Sequence, residues 1–73
     1  MILYTSPTCK YCPAIKLALA AKFPELEVRD VAEPKWRKLL VEDMKMLFVP
    51  VLVERGKVYA GKDSIEAFIE TVP

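Results

Sequence analysis

Apolar and polar residues follow two different periods along the chain, and these periods predict seven elements of secondary structure. Short aliphatic and aromatic segments beside turn-forming residues are typical of strands. They occur at residues 2–4, 26–29, 49–53 and 58–60. Longer segments with an apolar residue at every third or fourth position are typical of helices. These occur at residues 9–22, 34–47 and 63–72.

Each predicted helix has its own start signal and apolar face. The first begins at the two cysteines with Pro13 in its first turn, and the second begins at Pro34. The third begins with Asp63 and Glu66, a pair that fits a capping box. The predicted faces are Ile15, Ala18, Leu19 and Lys22 or Phe23 in the first helix, Trp36, Leu39, Leu40, Met44 and Leu47 in the second, and Ile65, Phe68, Ile69 and Val72 in the third.

The element order β-α-β-α-β-β-α, without a repeat or a linker, predicts a single α/β domain over residues 1–73. A strand–helix–strand unit forms a right-handed parallel crossover, so the first two strands should be parallel neighbours. The last two strands should form an antiparallel hairpin on the other side. Together they give a four-stranded mixed sheet flanked by three helices.

Composition and charge narrow the class of protein. Apolar residues make up 53% of the chain, and 11 basic residues nearly balance 10 acidic ones. This balance gives no general attraction to nucleic acid or to anionic membranes. The longest uninterrupted apolar run, residues 46–53, is far shorter than the roughly 20 residues of a membrane-spanning helix, and the first residues lack the pattern of a secretory signal. We therefore expect a cytoplasmic protein, and a monomer.

Two cysteines and no histidine define the candidate chemistry. Cys9 and Cys12 follow the first predicted strand and open the first predicted helix. Residues three apart on a helix have Cβ atoms about 5–6 Å apart, so a disulfide can form and break there with little rearrangement. Unpaired backbone N–H groups, the helix dipole and the neighbouring Lys10 all favour the thiolate of Cys9. Cys9 is therefore predicted to be the nucleophile and Cys12 the buried resolving cysteine of a dithiol exchange.

Three other uses of two closely spaced cysteines stay open at this point. A purely structural disulfide is uncommon in a reducing cytosol. A zinc site needs four ligands, which would require two chains to share one site. A soft-metal carrier would also place Cys-x-x-Cys between a strand and a helix. Such carriers, however, resemble β-α-β-β-α-β and typically have Met where this chain has Pro7.

The combined motifs resemble the glutaredoxins and, more broadly, short thioredoxin-like redoxins. The matching motifs are Tyr4-Thr5-x-x-Thr8-Cys9-x-Tyr11-Cys12, Val49-Pro50 and Gly61-x-Asp63-Ser64, which span almost the whole chain. The resemblance implies a minimal thioredoxin-like fold and thiol–disulfide oxidoreductase activity. It also implies that the bond before Pro50 is cis, that Pro50 lies beside the cysteines, and that the backbone of Val49 pairs with substrate like an added strand.

The resemblance further implies where glutathione would be bound. Asp63 and Ser64 match the positions that hold one end of glutathione, at a helix N-terminus suited to anions, with a helix cap as the alternative for Asp63. Tyr11 matches an exposed contact residue of the family. Apart from the resemblance, the basic cluster Lys35-Trp36-Arg37-Lys38 is either a solvated helix face with Trp36 in the core or, through Arg37, a contact for an acidic partner or a glutathione carboxylate.

Three departures from the family pattern bear on the substrate. Ser6 replaces a lysine that helps to hold a glutathione carboxylate, Lys10 replaces the usual proline, and Ala60 replaces the first glycine of a Gly-Gly pair. These differences favour protein disulfides as substrates.

The sequence thus predicts a dithiol oxidoreductase that reduces protein disulfides or glutathione mixed disulfides, with glutathione as a co-substrate and no bound cofactor or metal. A thioredoxin-type electron carrier served by a flavin-dependent reductase is the alternative within the same chemistry. A copper- or zinc-binding protein is the alternative of another class. The predicted site residues are Cys9 and Cys12 for catalysis and Lys10, Tyr11, Arg37, Val49, Pro50, Asp63 and Ser64 for substrate binding.

Overall fold

The computed structural model describes residues 1–72 and contains the predicted strands and helices in the predicted order. The strands are β1 (Ile2–Thr5), β2 (Glu27–Asp30), β3 (Val51–Glu54) and β4 (Lys57–Ala60). The helices are α1 (Cys12–Lys22), α2 (Pro34–Lys38) and α3 (Lys62–Glu70). A π-helical turn (Leu39–Asp43) continues directly from α2.

The four strands form one mixed sheet in the order β2-β1-β3-β4. β1 and β2 are parallel, as a strand–helix–strand crossover requires, and β3 is antiparallel to both β1 and β4. Arg55 and Gly56, both at positive φ, form the turn between β3 and β4. The predicted topology is therefore confirmed. It places the ends of β1 and β2 at the same edge of the sheet, with Thr5 opposite Asp30.

Alternation along the strands divides the core into two clusters, one on each face of the sheet. Leu3 of β1 packs on the face covered by α1 and α3, in a cluster completed by Ile15, Leu19, Leu52 and Ile65. Tyr4 packs on the opposite face with Leu40 and Val51. The first cluster fixes α1, and therefore its first turn, against the sheet.

The second predicted helix ends earlier than its apolar spacing indicates. The helical segment stops at Asp43, and Lys45 has a φ of 60°, a left-handed conformation that cannot continue a helix. Leu47, predicted on the apolar face, is 84% exposed, so that prediction is wrong. Each π-helical turn holds more residues than an α-helical turn, which shifts the face that meets the core. Met44, predicted on the same face, does pack against the second cluster, and so does Met46.

The capping box predicted for the third helix is not formed. α3 begins at Lys62, with Gly61 as its N-cap at a φ of 89°. Glycine adopts this left-handed conformation without strain, so the helix starts there. Asp63 lies inside the first turn and no side chain caps the helix. Glu66 accepts a hydrogen bond from Lys62 Nζ at 2.7 Å instead of bonding to the backbone.

Lys22 joins the end of α1 to the end of α3. Its Nζ donates to the carbonyl oxygens of Ile69 at 3.2 Å and Val72 at 3.0 Å. Carbonyls in the last turn of a helix lack partners within the helix, and a cation is favourable at that end. The contact therefore holds the two helices of this face together at the end away from the cysteines.

Candidate active site

The turn between β1 and α1 fixes the backbone of Cys9. Its N–H donates to the carbonyl oxygen of Ser6 at 3.1 Å. The hydroxyl oxygens of Ser6 and Thr8 are 3.0 Å apart, and Ser6 Oγ accepts the N–H of Thr8 at 3.3 Å. These short-range bonds present Cys9 at the edge of the sheet where β1 ends.

α1 begins at Cys12, which corrects the prediction that the helix starts at Cys9. Tyr11 is the N-cap, and Pro13 lies in the first turn. Proline restricts the residue before it and is tolerated only in the first turn of a helix. Pro13 therefore sets the helix start at Cys12, and Cys9 lies in the turn ahead of it.

Cys9 and Cys12 are joined as a disulfide, with their Cα atoms 5.5 Å apart. Cys12 is buried, with 3% of its surface exposed, whereas Cys9 is half-buried. An incoming disulfide can therefore reach Cys9 but not Cys12. The predicted roles, nucleophile for Cys9 and resolving cysteine for Cys12, require this difference in exposure.

Two ammonium groups lie against the aromatic ring of Tyr11, which precedes Cys12 in the chain. Lys10 Nζ is 5.2 Å and Lys62 Nζ is 5.4 Å from the centroid of its ring, within the range of a cation–π interaction. The ring remains 44% exposed. The hydrogen bond to Glu66 is the main reason that the pKa of Lys62 is raised above its usual value. Lys62 was not singled out from the sequence, because nothing local to it indicates a contact with Tyr11.

The peptide bond between Val49 and Pro50 is cis, as the family resemblance implies. Pro50 is buried, and its carbonyl oxygen accepts the N–H of Gly61 at 2.9 Å. β3 begins at Val51, later than predicted, because a proline has no N–H to contribute to a strand ladder. This hydrogen bond ties the loop before β3 to the start of α3.

Tyr11 and the start of α3 line one crevice. Its residues are Tyr11, Ala60, Gly61, Lys62, Asp63 and Ser64. The structure therefore brings together three of the predicted binding residues, Tyr11, Asp63 and Ser64. Arg37 is not among them, because it lies in a separate groove on α2.

A second crevice lies beside Cys12 at the edge where β1 and β2 end. It is lined by Thr5, Ser6, Pro7, Cys12, Pro13, Lys16, Leu17 and Asp30. Asp30 reaches this crevice because it is opposite Thr5 in the parallel register. The sequence did not single out Lys16 or Asp30. The available signal was that Asp30 ends the strand expected beside β1.

Within residues 1–72, no three Cys, Asp or Glu side chains are grouped so that they could hold a metal ion. Over the same residues, none of the helices has the length and apolar character needed to cross a bilayer.

Comparisons with known proteins are consistent with this geometry. The sequence matches the Glutaredoxin family model over residues 1–59. Among solved structures, the thioredoxin-like protein BC3987 superposes with a TM-score of 0.78 at 27% sequence identity, over 93% of this chain and 96% of that one. The T8A mutant of the same protein also gives a TM-score of 0.78, at 25% identity, over 94% of this chain and 96% of that one. No match was found among the curated proteins. The thioredoxin-like fold predicted from the sequence is thereby confirmed.

Proposed function

This chain belongs to the glutaredoxin family, and from that premise we propose that it is a thiol–disulfide oxidoreductase acting through Cys9 and Cys12. One observation carries the proposal: an accessible cysteine is paired with a buried one at the start of a helix. Such a pair can accept a substrate disulfide at one sulfur and close on itself with the other.

The first step is attack on the substrate. The Cys9 thiolate attacks one sulfur of a substrate disulfide, the substrate S–S bond breaks, and its other sulfur leaves as a thiolate that takes up a proton. Cys9 is then held in a mixed disulfide. The N-terminus of α1, which no side chain caps and which begins three residues after Cys9, and the ammonium group of the adjacent Lys10 favour the thiolate form of Cys9.

The second step releases the substrate. Cys12 loses its proton and attacks the sulfur of Cys9, so the Cys9–Cys12 disulfide forms and the remaining substrate thiolate leaves and is protonated. The substrate gains two electrons and two protons, which the dithiol of the protein loses. Burial keeps Cys12 away from external disulfides, while a Cα separation of 5.5 Å keeps its thiol within reach of Cys9.

Protein disulfides are the proposed substrates, and glutathione is the proposed reductant that restores the dithiol. The backbone of Val49, beside the cis Pro50, would pair with the substrate as an added strand. Asp63 and Ser64 lie at the N-terminus of α3 in the crevice next to Tyr11, which supports a role in holding one end of glutathione. Its carboxylate would lie at the helix N-terminus and Ser64, and its ammonium group would pair with the carboxylate of Asp63. A flavin-dependent reductase is the alternative donor, and it would not require that crevice.

Catalysed reduction of insulin by dithiothreitol, followed as precipitation of the freed chain, tests the proposed activity. The wild-type protein should accelerate precipitation, and Cys9→Ser should abolish the acceleration because no nucleophile remains. Acceleration by Cys9→Ser equal to that of the wild type would rule out the proposal.

The donor is tested with NADPH and either glutathione plus glutathione reductase or a flavin-dependent thioredoxin reductase. If glutathione is the donor, Asp63→Asn and Ser64→Ala should raise the KM for glutathione without changing reduction by dithiothreitol. Asp43→Asn, another exposed acidic position, is the matched control. If the flavin-dependent reductase reduces the Cys9–Cys12 disulfide rapidly and glutathione does not, the protein belongs with the thioredoxin-type carriers.

A further inference from the structure

Two adjacent apolar side chains project from the loop that precedes Pro50. Leu47 is 84% and Phe48 is 49% exposed, while their neighbours Met46 and Val49 pack against the second core cluster. The loop therefore turns two large apolar groups outward even though it has a core beside it. Clustered exposed apolar residues mark contact surfaces more often than single ones do.

The loop holds these side chains in a fixed position. The N–H of Met46 donates to the carbonyl oxygen of Leu40 at 3.0 Å, and the N–H of Gly61 donates to that of Pro50 at 2.9 Å. These bonds tie the loop to the π-helical turn at one end and to α3 at the other. A surface held in this way loses little conformational entropy on binding.

The exposed loop is continuous with the cysteine pair. A ring carbon of Phe48 would lie 3.7 Å from a Cβ built on Gly61, so Phe48 lies over Gly61. Gly61 and Tyr11 line the same crevice, and Tyr11 is adjacent to Cys12 in the chain. Tyr11, Phe48 and Leu47 therefore form an apolar rim that runs from the cysteines to the loop.

Positive charge accompanies this rim. Lys10 lies over Tyr11, and Lys45 lies two residues before Leu47 in the chain. Within residues 1–72, the ammonium groups of Lys10 and Lys45 have no carboxylate oxygen within 4.0 Å. The ion pairs beside Tyr11 are those of Lys62. The negative charge near the rim comes from Asp63 and Glu66, which pair with Lys62.

We propose that the apolar rim binds the polypeptide around the substrate cysteine, and that it selects an apolar residue beside that cysteine followed by an acidic residue. The apolar residue packs on Leu47 and Phe48, and the acidic residue is attracted by Lys10 and Lys45. The inference rests on the proposed function, since the bound segment must present a disulfide to Cys9. It adds a substrate class to that function.

Peptides carrying a thionitrobenzoate mixed disulfide on their single cysteine provide the test. Attack of Cys9 on the peptide sulfur joins Cys9 to the peptide and releases coloured thionitrobenzoate, whose absorbance gives the second-order rate constant when the protein has been reduced beforehand and freed of excess reductant. Three peptides differ only in the two residues that follow the cysteine. These residues are Leu and Glu in the first peptide, Leu and Lys in the second, and Ser and Gln in the third. The mixed disulfide of mercaptoethanol with thionitrobenzoate, which has no polypeptide, reports the chemistry alone.

The wild-type protein should prefer the Leu–Glu peptide over the Ser–Gln peptide by about tenfold, because burial of one leucine side chain stabilises a complex by about that factor or more. Leu47→Ser and Phe48→Ser should each remove most of this preference. Lys45→Gln should narrow the difference between the Leu–Glu and Leu–Lys peptides, as should added salt. Leu17→Ser is the matched control, because Leu17 is a 73% exposed leucine on α1 outside the rim.

The outcomes separate this inference from the proposed function. If none of the substrates reacts, including the mercaptoethanol disulfide, the oxidoreductase proposal fails. If all three peptides react equally fast, the oxidoreductase proposal stands and the selectivity of the rim is overturned. The selectivity is also overturned if Leu17→Ser slows the Leu–Glu peptide as much as Leu47→Ser does. A change in sedimentation on Leu47→Ser without a change in peptide rates would assign the rim to self-association instead.

Discussion

Cys9 and Cys12 have the same side chain, and their different surroundings decide what each can do. Cys12 is the first residue of α1 and is buried, whereas Cys9 lies in the turn before it and is half-buried. The motif could be read from the sequence because its residues are contiguous. Lys62, which lies over the ring of Tyr11, comes from a distant part of the sequence. No local pattern indicates that contact.

Selective alkylation tests the two roles. After reduction, limiting iodoacetamide at pH 6–7 should label Cys9 well before Cys12, because Cys9 is accessible and its thiolate is favoured by the helix N-terminus and Lys10. Peptide mapping by mass spectrometry identifies the labelled cysteine. Earlier labelling of Cys12 would exchange the proposed roles.

Arg29 connects the second strand to the second helix. Its guanidinium lies 4.3 Å from the centroid of the Trp36 ring, and it donates to Tyr4 Oη at 2.9 Å. Arg29→Met should lower the free energy of unfolding by about 1–2 kcal/mol. Arg29→Lys should retain only part of the stability that Arg29→Met loses, since an ammonium group cannot stack on the ring and donate to Tyr4 at the same time. Urea unfolding measures the change. Arg55→Met, at an exposed turn position, is the control and should change it by less than about 0.5 kcal/mol.

At the scale of elements, the strands and their order were predictable, but the start of α1 and the end of the second helix were not. Short apolar segments and the handedness of crossovers depend on local sequence and on general rules, so the parallel pairing of β1 and β2 followed from them. The end of the second helix depends on a π-helical turn and on Lys45 in a left-handed conformation. Neither the π-helical turn nor the left-handed residue is marked by a glycine or proline in the sequence. The spacing of Leu47 therefore predicted a helical core position, although its side chain is exposed in the structure.

The contact of Lys22 with the end of α3 yields a prediction at this scale. Lys22→Met should lower the free energy of unfolding by about 0.5–1 kcal/mol, because two carbonyls lose a charged donor at a helix C-terminus. Chemical denaturation measures the loss. Lys16→Met, at another exposed position of α1, should have a smaller effect. Equal losses for both substitutions would mean that the contact with Ile69 and Val72 contributes nothing.

At the scale of the whole molecule, the two-cysteine mechanism predicts that the substrates differ in their need for Cys12. A protein substrate stays bound to Cys9 until a second thiol arrives, and Cys12 supplies one intramolecularly. A glutathione mixed disulfide can be released by free glutathione instead. Cys12→Ser should therefore lose most insulin reduction and retain removal of glutathione from a glutathionylated peptide, while Cys9→Ser loses both.

Full insulin reduction by the reduced Cys12→Ser protein without any added thiol would contradict the two-step mechanism. Absence of any activity of the wild-type protein on the glutathionylated peptide would show that the replacement of the family lysine by Ser6 is decisive. In that case protein disulfides alone are the substrates.

The division of the core by the sheet has a consequence for how the molecule opens. The cluster under α1 and α3 contains five fully or nearly fully buried side chains, while the cluster under α2 contains three. The short α2 and the loop after it should therefore open locally at lower free energy than β1, β3 and α1. Native-state hydrogen exchange should show amides of residues 34–48 exchanging before those of residues 2–5, 12–22 and 51–54. The thiols would then keep their positions on a slowly exchanging unit, while the loop that meets the substrate would keep its bonded conformation except during rare local openings.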